Sequence, residues 1–371
     1  MEDAARAPLR SRILHSWTWV VPIAAIVVLV LVWDRELPWP VYLIAAVVLI
    51  GAVLAAVQHA ETVAHRVGEP YGSLVLAVAV TVIEVGLILT LILGGTEGSE
   101  TLARDTVFAA VMITVNGIVG LSILIGALRH QIPRFNDEGA GSALAVVATL
   151  TTLTLVVPAF TVSGGGDQFS STQLVFVAVV AIVLYAAFVL LQTGRHRGFF
   201  LPVGKSGKPI DGEEHSDPPS TRTALLSLGL LLVALVGVVG LAKSVSPAIE
   251  SAVSAAGIPH SFVGVVVALV VLLPEGTAAV RAALRNRLQT SLNLGLGSAM
   301  ASIGLTIPTL AVASIWLPTP LVLGLGPVQI VLFVLSVAVA TLTIVPGRAT
   351  RLEGIVHLAI FASFVFLAAQ P

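Results

Sequence analysis

The chain has 371 residues, 57% of them hydrophobic and only 11% charged, with a formal net charge of −1. An average soluble domain is about 25% charged, so a water-soluble globule is excluded, as is a basic surface for nucleic acid. The lack of cysteine excludes disulfides, thiolate metal sites and cysteine nucleophiles.

Runs near 20 apolar residues, the length that crosses a hydrocarbon core of about 30 Å as a helix, recur from end to end. The first, 17–33, follows Arg6, Arg10 and Arg12 in the manner of a signal peptide. It ends at Asp34-Arg35-Glu36 without a small-residue cleavage pattern, so it reads as a retained span. Ten more are expected at 38–58, 72–94, 105–128, 140–163, 172–193, 223–244, 259–284, 290–314, 325–345 and 352–369. Three breaks stay open: the polar stretch 59–71, the short turn 285–289, and a re-entrant bend at Gly324–Pro327. The fold class is an all-α polytopic membrane protein of about eleven transmembrane helices.

Lys and Arg set the expected orientation. Sixteen of the 19 lie in the N-terminus, in the even-numbered loops or, as Arg281 does, at the end of a span that leads into one. Only Arg35, Arg104 and Lys243 lie in the odd-numbered loops or at a span end beside them. The positive-inside rule then puts the N-terminus in the cytoplasm and the C-terminus outside. A miscounted span would scramble this alternation, so the split also supports the count.

One stretch interrupts the pattern. Residues 194–221 are polar and rich in Pro and Gly, as a flexible linker is. The expected organisation is an N-terminal helix (1–37), a first five-helix unit (38–193), this cytoplasmic linker (194–221) and a second five-helix unit (222–371). Asp211, Glu213, Glu214 and Asp217 either bind a regulatory cation or simply solvate the connector.

Two glutamates stand alone in mid-span, Glu84 in the third span and Glu275 in the eighth. A carboxylate at bilayer depth costs about 2.5–3.5 kcal/mol on insertion scales and marks function by default. Each belongs to the second span of a five-span unit, and the two units run in opposite directions. That is the inverted-repeat plan of secondary transporters, whose ions bind at the midplane. The next spans also match, Val111-Met-Ile-Thr-Val-Asn116 with Gly297-Ser-Ala-Met-Ala-Ser302. Asn116 and Ser302, with Ser298 and Thr81, are therefore candidate ion- or proton-binding groups beside Glu84 and Glu275. Ser73, Thr114, Thr277 and Thr306 add further oxygens, although such hydroxyls often bond their own backbone. Pro274 removes the donor for the carbonyl near Val270, and Gly276 uncovers the backbone, so a broken helix is expected there.

Two carboxylates that face each other in a low dielectric cannot both stay ionised, and they titrate as a unit. Two protons or one divalent cation would neutralise them, which makes the ions competitors. Ca²⁺ suits an all-oxygen site, and Na⁺ with one retained proton is electrostatically close. The competing reading is a permanently protonated structural pair, which mirrored placement weighs against. A second polar cluster, His59, Glu61, His65 and Glu69, is a candidate cytoplasmic vestibule or proton relay. Its other reading is a solvated interfacial segment with local charge pairs. It lacks the His-Glu-x-x-His spacing of zinc proteases, and no P-loop or Gly-x-Ser-x-Gly occurs, so a membrane enzyme or structural subunit is the weaker alternative.

Glu69-Pro-Tyr-Gly-Ser-Leu, Val82-Ile-Glu-Val, Leu273-Pro-Glu-Gly-Thr and Asn293-Leu-Gly-Leu-Gly-Ser298 resemble the Ca²⁺/cation antiporter superfamily, in particular the bacterial ChaA-type calcium/proton antiporters of the cation/proton exchanger branch. The resemblance spans nearly the whole chain, and Glu61 is similar to an acidic position that precedes the first repeat motif there. It implies two inverted five-helix repeats after one extra N-terminal helix, an acidic cytoplasmic linker, and exchange at Glu84 and Glu275. Many members carry Gly-Asn-Ala-x-Glu in both repeats, whereas the Asn places here hold Thr81 and Leu272. The implied activity is extrusion of cytosolic Ca²⁺ for protons, without a cofactor, and ChaA-like members are also associated with Na⁺ and K⁺. A bacterial inner membrane fits the Ala/Val/Leu-rich composition.

Overall fold

The computed structural model describes residues 9–35, 37–68, 71–94, 98–162, 166–204, 218–317 and 320–371. Glu69, Asp211, Glu213, Glu214 and Asp217 lie outside the described residues. Among those described, eleven long helices form, and an isolated β-bridge pairs Arg134 with Arg348. In chain order they are α1 (Leu9–Val32), α2 (Trp39–Val67), α3 (Tyr71–Leu93), α4 (Ser99–His130), α5 (Asp137–Phe160), α6 (Ser171–Thr193), α7 (Thr221–Ala255), α8 (Phe262–Leu284), α9 (Leu288–Ala313), α10 (Pro327–Ile344) and α11 (Arg351–Ala369). Ten are long and apolar enough to cross a membrane, and α1 adds a shorter apolar stretch, Trp17–Val32. The protein is an all-α polytopic membrane protein.

The open breaks resolve one by one. The polar stretch after residue 58 is helical to Val67, because α2 keeps its ladder until Gly68, at φ 77°, ends it. The turn at 285–287 is real, with Asn286 at φ 60°. Before α10 the chain is extended, with Leu321, Leu323 and Leu325 buried. Its backbone N–H groups at Leu323 and Gly324 donate to the Asp167 carbonyl, and that of Leu325 donates to the Leu155 carbonyl. Those bonds satisfy the polar backbone of a stretch that water cannot reach.

Two helices carry features that apolar periodicity does not announce. Within α4, Ile113–Ile118 is π-helical, and within α5 so is Thr152–Val156. Single π turns inside α-helices are rare and concentrate at functional sites. Helix starts, by contrast, follow sequence. Asn136 accepts from Gly139 N–H, Ser170 and Gln173 form a capping box, and Thr350 pairs with Glu353.

The chain packs as two compact units. One holds α1, α2, α3 to Thr90 and α7 to Ser251. Its helices meet at small residues: a Cβ on Gly86 would lie 2.6 Å from Val239 Cγ2, and one on Gly240 2.5 Å from Leu29 Cδ2. Arg66 Nη2 donates to Thr221 Oγ1 at 2.8 Å, which ties the end of α2 to the start of α7. The Lys243 ammonium sits 4.8 Å from the Trp33 ring centroid. The second unit holds Leu91–Ser216 and Ala252–Pro371. There α4 runs nearly buried among α8, α9, α10 and α11, with Phe108 edge-on to Phe364 at 5.7 Å.

Candidate functional site

In the first unit Glu84 is buried at 3% exposure, one turn beyond buried Thr81 on an unbroken α3. Small and aliphatic neighbours, Ala77, Ala79, Ile83, Val85 and Ile88, are buried with it. A carboxylate is tolerated in such company only when something balances it.

In the second unit Glu275 is half-buried on α8. The expected break at Pro274 does not occur, and α8 is continuous from Phe262 to Leu284. Proline costs a helix one hydrogen bond and a local clash, and flanking turns packed against neighbours can absorb both. The carbonyl at Val270 still lacks its usual N–H, since proline has none. Thr277 Oγ1 donates back to the Pro274 carbonyl at 2.8 Å, which commits its hydrogen to its own helix and leaves its oxygen able to accept. Gly276 faces Ile118 of α4, where a Cβ would stand 3.7 Å away, an ordinary contact that leaves room for one.

On α9, Ser302 and Thr306 are buried and Ser298 is half-buried. Gly295, one turn before Ala299 on the same side as Ser302, brings α9 close to α4, a Cβ there lying 3.5 Å from the Thr114 carbonyl. Thr114 donates from its hydroxyl to the Ala110 carbonyl at 2.7 Å. Asn116 turns elsewhere. Its Nδ2 donates to Ser336 Oγ at 2.8 Å, and its Oδ1 lies 3.2 Å from His357 Nδ1. Asn116 and Ser302 match in sequence, but the structure engages both ends of the Asn116 amide with α10 and α11. Residue matching missed Ser336 and His357, which lie in the tenth and eleventh spans and carry no local motif. The lone histidine of the last span was the one available signal.

The vestibule cluster separates. His59 is buried, its Nε2 lies 2.8 Å from the Thr18 carbonyl, and its ring is edge-on to Trp19 at 6.5 Å. Glu61 and His65 share the exposed face of α2, and Gln58 donates to Glu61 at 2.7 Å. Among the described residues no group of three or more His, Asp or Glu assembles into a metal cluster.

Glu84 and Glu275 are each set in an apolar helix of an all-helical bundle with ten membrane-length helices, the architecture of a polytopic membrane protein. The sodium/calcium exchanger protein family matches residues 37–194 and 226–370, and the chain belongs to that family. It is 46% identical over 99% of its length to the y4hA protein of Sinorhizobium fredii, named as a candidate ionic transporter and matched over its full length. It is 32% identical to the sodium-potassium/proton antiporter ChaA of Escherichia coli, covering 93% of this chain and 94% of that one. Among solved structures, native YfkE superposes with a TM-score of 0.73 at 19% identity, over 95% of this chain and all of that one. YfkE is described as a Ca²⁺/H⁺ antiporter protein, and at this identity the likeness shows the fold alone. The chain is thus an integral membrane transporter of the cation/proton exchange class and not an enzyme.

Proposed function

We propose that this cation/proton antiporter extrudes Ca²⁺ from the bacterial cytoplasm in exchange for entering protons, with its N-terminus in the cytoplasm. Glu84 and Glu275 take up one divalent cation together, or a proton each, and the site changes sides only when it is filled. Two negative charges in a low dielectric are neutralised equally by either load, and the loads exclude one another. Exchange follows without further machinery. Ser302, Ser298 and Thr81 add oxygens, while Asn116 acts from the scaffold. In this reading residues 38–193 and 222–371 are inverted repeats, joined by the linker 194–221.

The observation that carries this reading is a carboxylate on each of two membrane helices, one from each half of the chain and each set in an apolar span. A second reading keeps the mechanism and changes the ion to Na⁺ or K⁺. Its support is the likeness to the sodium-potassium/proton antiporter at 32% identity.

Everted vesicles carrying an imposed pH gradient test both. Added Ca²⁺ is expected to release protons, and Glu84→Gln or Glu275→Gln to abolish the release. Release with Na⁺ or K⁺ alone moves the assignment to the second reading. Silence with every ion, from correctly inserted protein, refutes antiport by this pair. Competition carries a further sign: acidifying the cation side raises the cation concentration needed for half-maximal release.

A further inference from the structure

The contact between α4 and α11 is made by glycines. A Cβ on Gly120 would lie 2.7 Å from His357 Cβ, and one on Gly354 2.7 Å from Leu124 N. Gly117 faces the Phe361 ring at 3.5 Å. Backbones this near shut out solvent, and His357 is fully buried. Its ring belongs to a polar row that the proposed exchange step does not use.

The hydrogens of that row can be assigned. The Ser336 hydroxyl donates to the Leu332 carbonyl at 2.7 Å, so its oxygen accepts from Asn116 Nδ2. Oδ1 of Asn116 can only accept, so His357 Nδ1 must carry the hydrogen across their 3.2 Å contact. In that tautomer Nε2 accepts from the Thr343 hydroxyl at 3.1 Å. Four buried side chains from three helices are each supplied, and Asn116 stands at the middle of the π-helical turn.

We propose that His357, together with Ser336, is a positioning residue that clasps Asn116 and holds α4 in its π-helical form at Ile113–Ile118. A π turn is wider than an α turn and persists where tertiary contacts hold it. Released, α4 reverts to α geometry, and one residue of slippage turns one end of the helix by about 100° against the other. Ile118, which packs on Gly276, and the Thr114 carbonyl beneath Gly295 both lie in the turn. The clasp therefore sets how α4 meets the helix that carries Glu275. This rests on the transport reading above and names residues that keep its site in shape.

The test pairs two amide substitutions. In His357→Asn the side-chain NH₂ reaches the place of Nδ1 and still donates to Asn116. In His357→Gln it reaches the place of Nε2 and meets Thr343 instead. Purified, folded protein of each is compared by amide hydrogen exchange at Ile113–Ile118, and in vesicles by the cation concentration for half-maximal proton release. His357→Gln is expected to exchange faster there and to need about tenfold more cation, the scale of one lost buried hydrogen bond. His357→Asn is expected to stay within about threefold of the parent, the maximal rate of both changing less than the half-maximal concentration. The reverse order, or exchange that is unchanged in both, overturns the clasp. The exchange measurement decides this even if no cation moves, and transport silence in the parent sinks the reading above instead.

Discussion

The two carboxylate helices offer the same chemical group in different settings. Around Glu84 the helix is unbroken and Gly86 presses α3 onto Val239, with 2.6 Å between that methyl and the place of a Cβ. Around Glu275 the helix carries Pro274, the carboxylate is half-buried, and the place of a Cβ on Gly276 has 3.7 Å to its nearest neighbour. One glutamate sits in a packed wall, the other on a looser helix where a carbonyl one turn away has lost its helical N–H. Mirrored residues therefore do not mean mirrored backbones. The α3 side has no room for an added methyl at Gly86, whereas the α8 side has room for one at Gly276.

The largest expected effect tests what the helices share. Glu84→Gln and Glu275→Gln should each cut cation-driven proton release by at least about 100-fold, because removing one charge from a buried ionic site costs about 3–5 kcal/mol. A variant that keeps a tenth of the rate would remove its helix from the exchange step. Packing comes next. Gly86→Ala should destabilise by about 1–3 kcal/mol, since a methyl has no room against Val239. Gly276→Ala should stay within about 1 kcal/mol, and equal melting temperatures for the two would erase the contrast between the two sides.

Smaller still is Pro274→Ala, which returns an N–H to the Val270 carbonyl and should raise the melting temperature by the equivalent of about 1 kcal/mol, well under the roughly 3 kcal/mol seen for proline in exposed helices. A fall would mean that the proline ring is itself part of the packing. Smallest of all, Glu61→Gln and His65→Gln on the exposed face of α2 should leave proton release within about twofold, as surface changes usually do. A tenfold loss would revive a relay through that face.

The spans were legible because a bilayer demands long apolar helices and punishes everything else. Where the long apolar helices fall can be read from the order of apolar residues, although only ten of the eleven reach membrane length, α7 runs on to Ala255 through Pro247 and α2 through its polar tail to Val67. Glu84 and Glu275 were legible for the same reason, being charges where charge is costly. Pro274 misled, because the penalty of one missing hydrogen bond is local and the packing around α8 outweighs it. The partners of Asn116, Ser336 and His357, were hidden in another way. The position of Asn116 in the chain matches Ser302, yet which side of a helix an amide faces depends on how many residues the turns contain, and the π turn of α4 is not written in any residue type.

From the order of its residues alone, this protein is committed to a helical membrane bundle with two acidic groups at depth, because apolar length and buried charge are properties of single segments. The partners of Asn116, the burial of His357 behind Gly120, and the parting of His59 from Glu61 and His65 were decided only by the folded chain. Each depends on distances between helices far apart in sequence, and those follow from the sum of many small packing terms that no segment carries by itself.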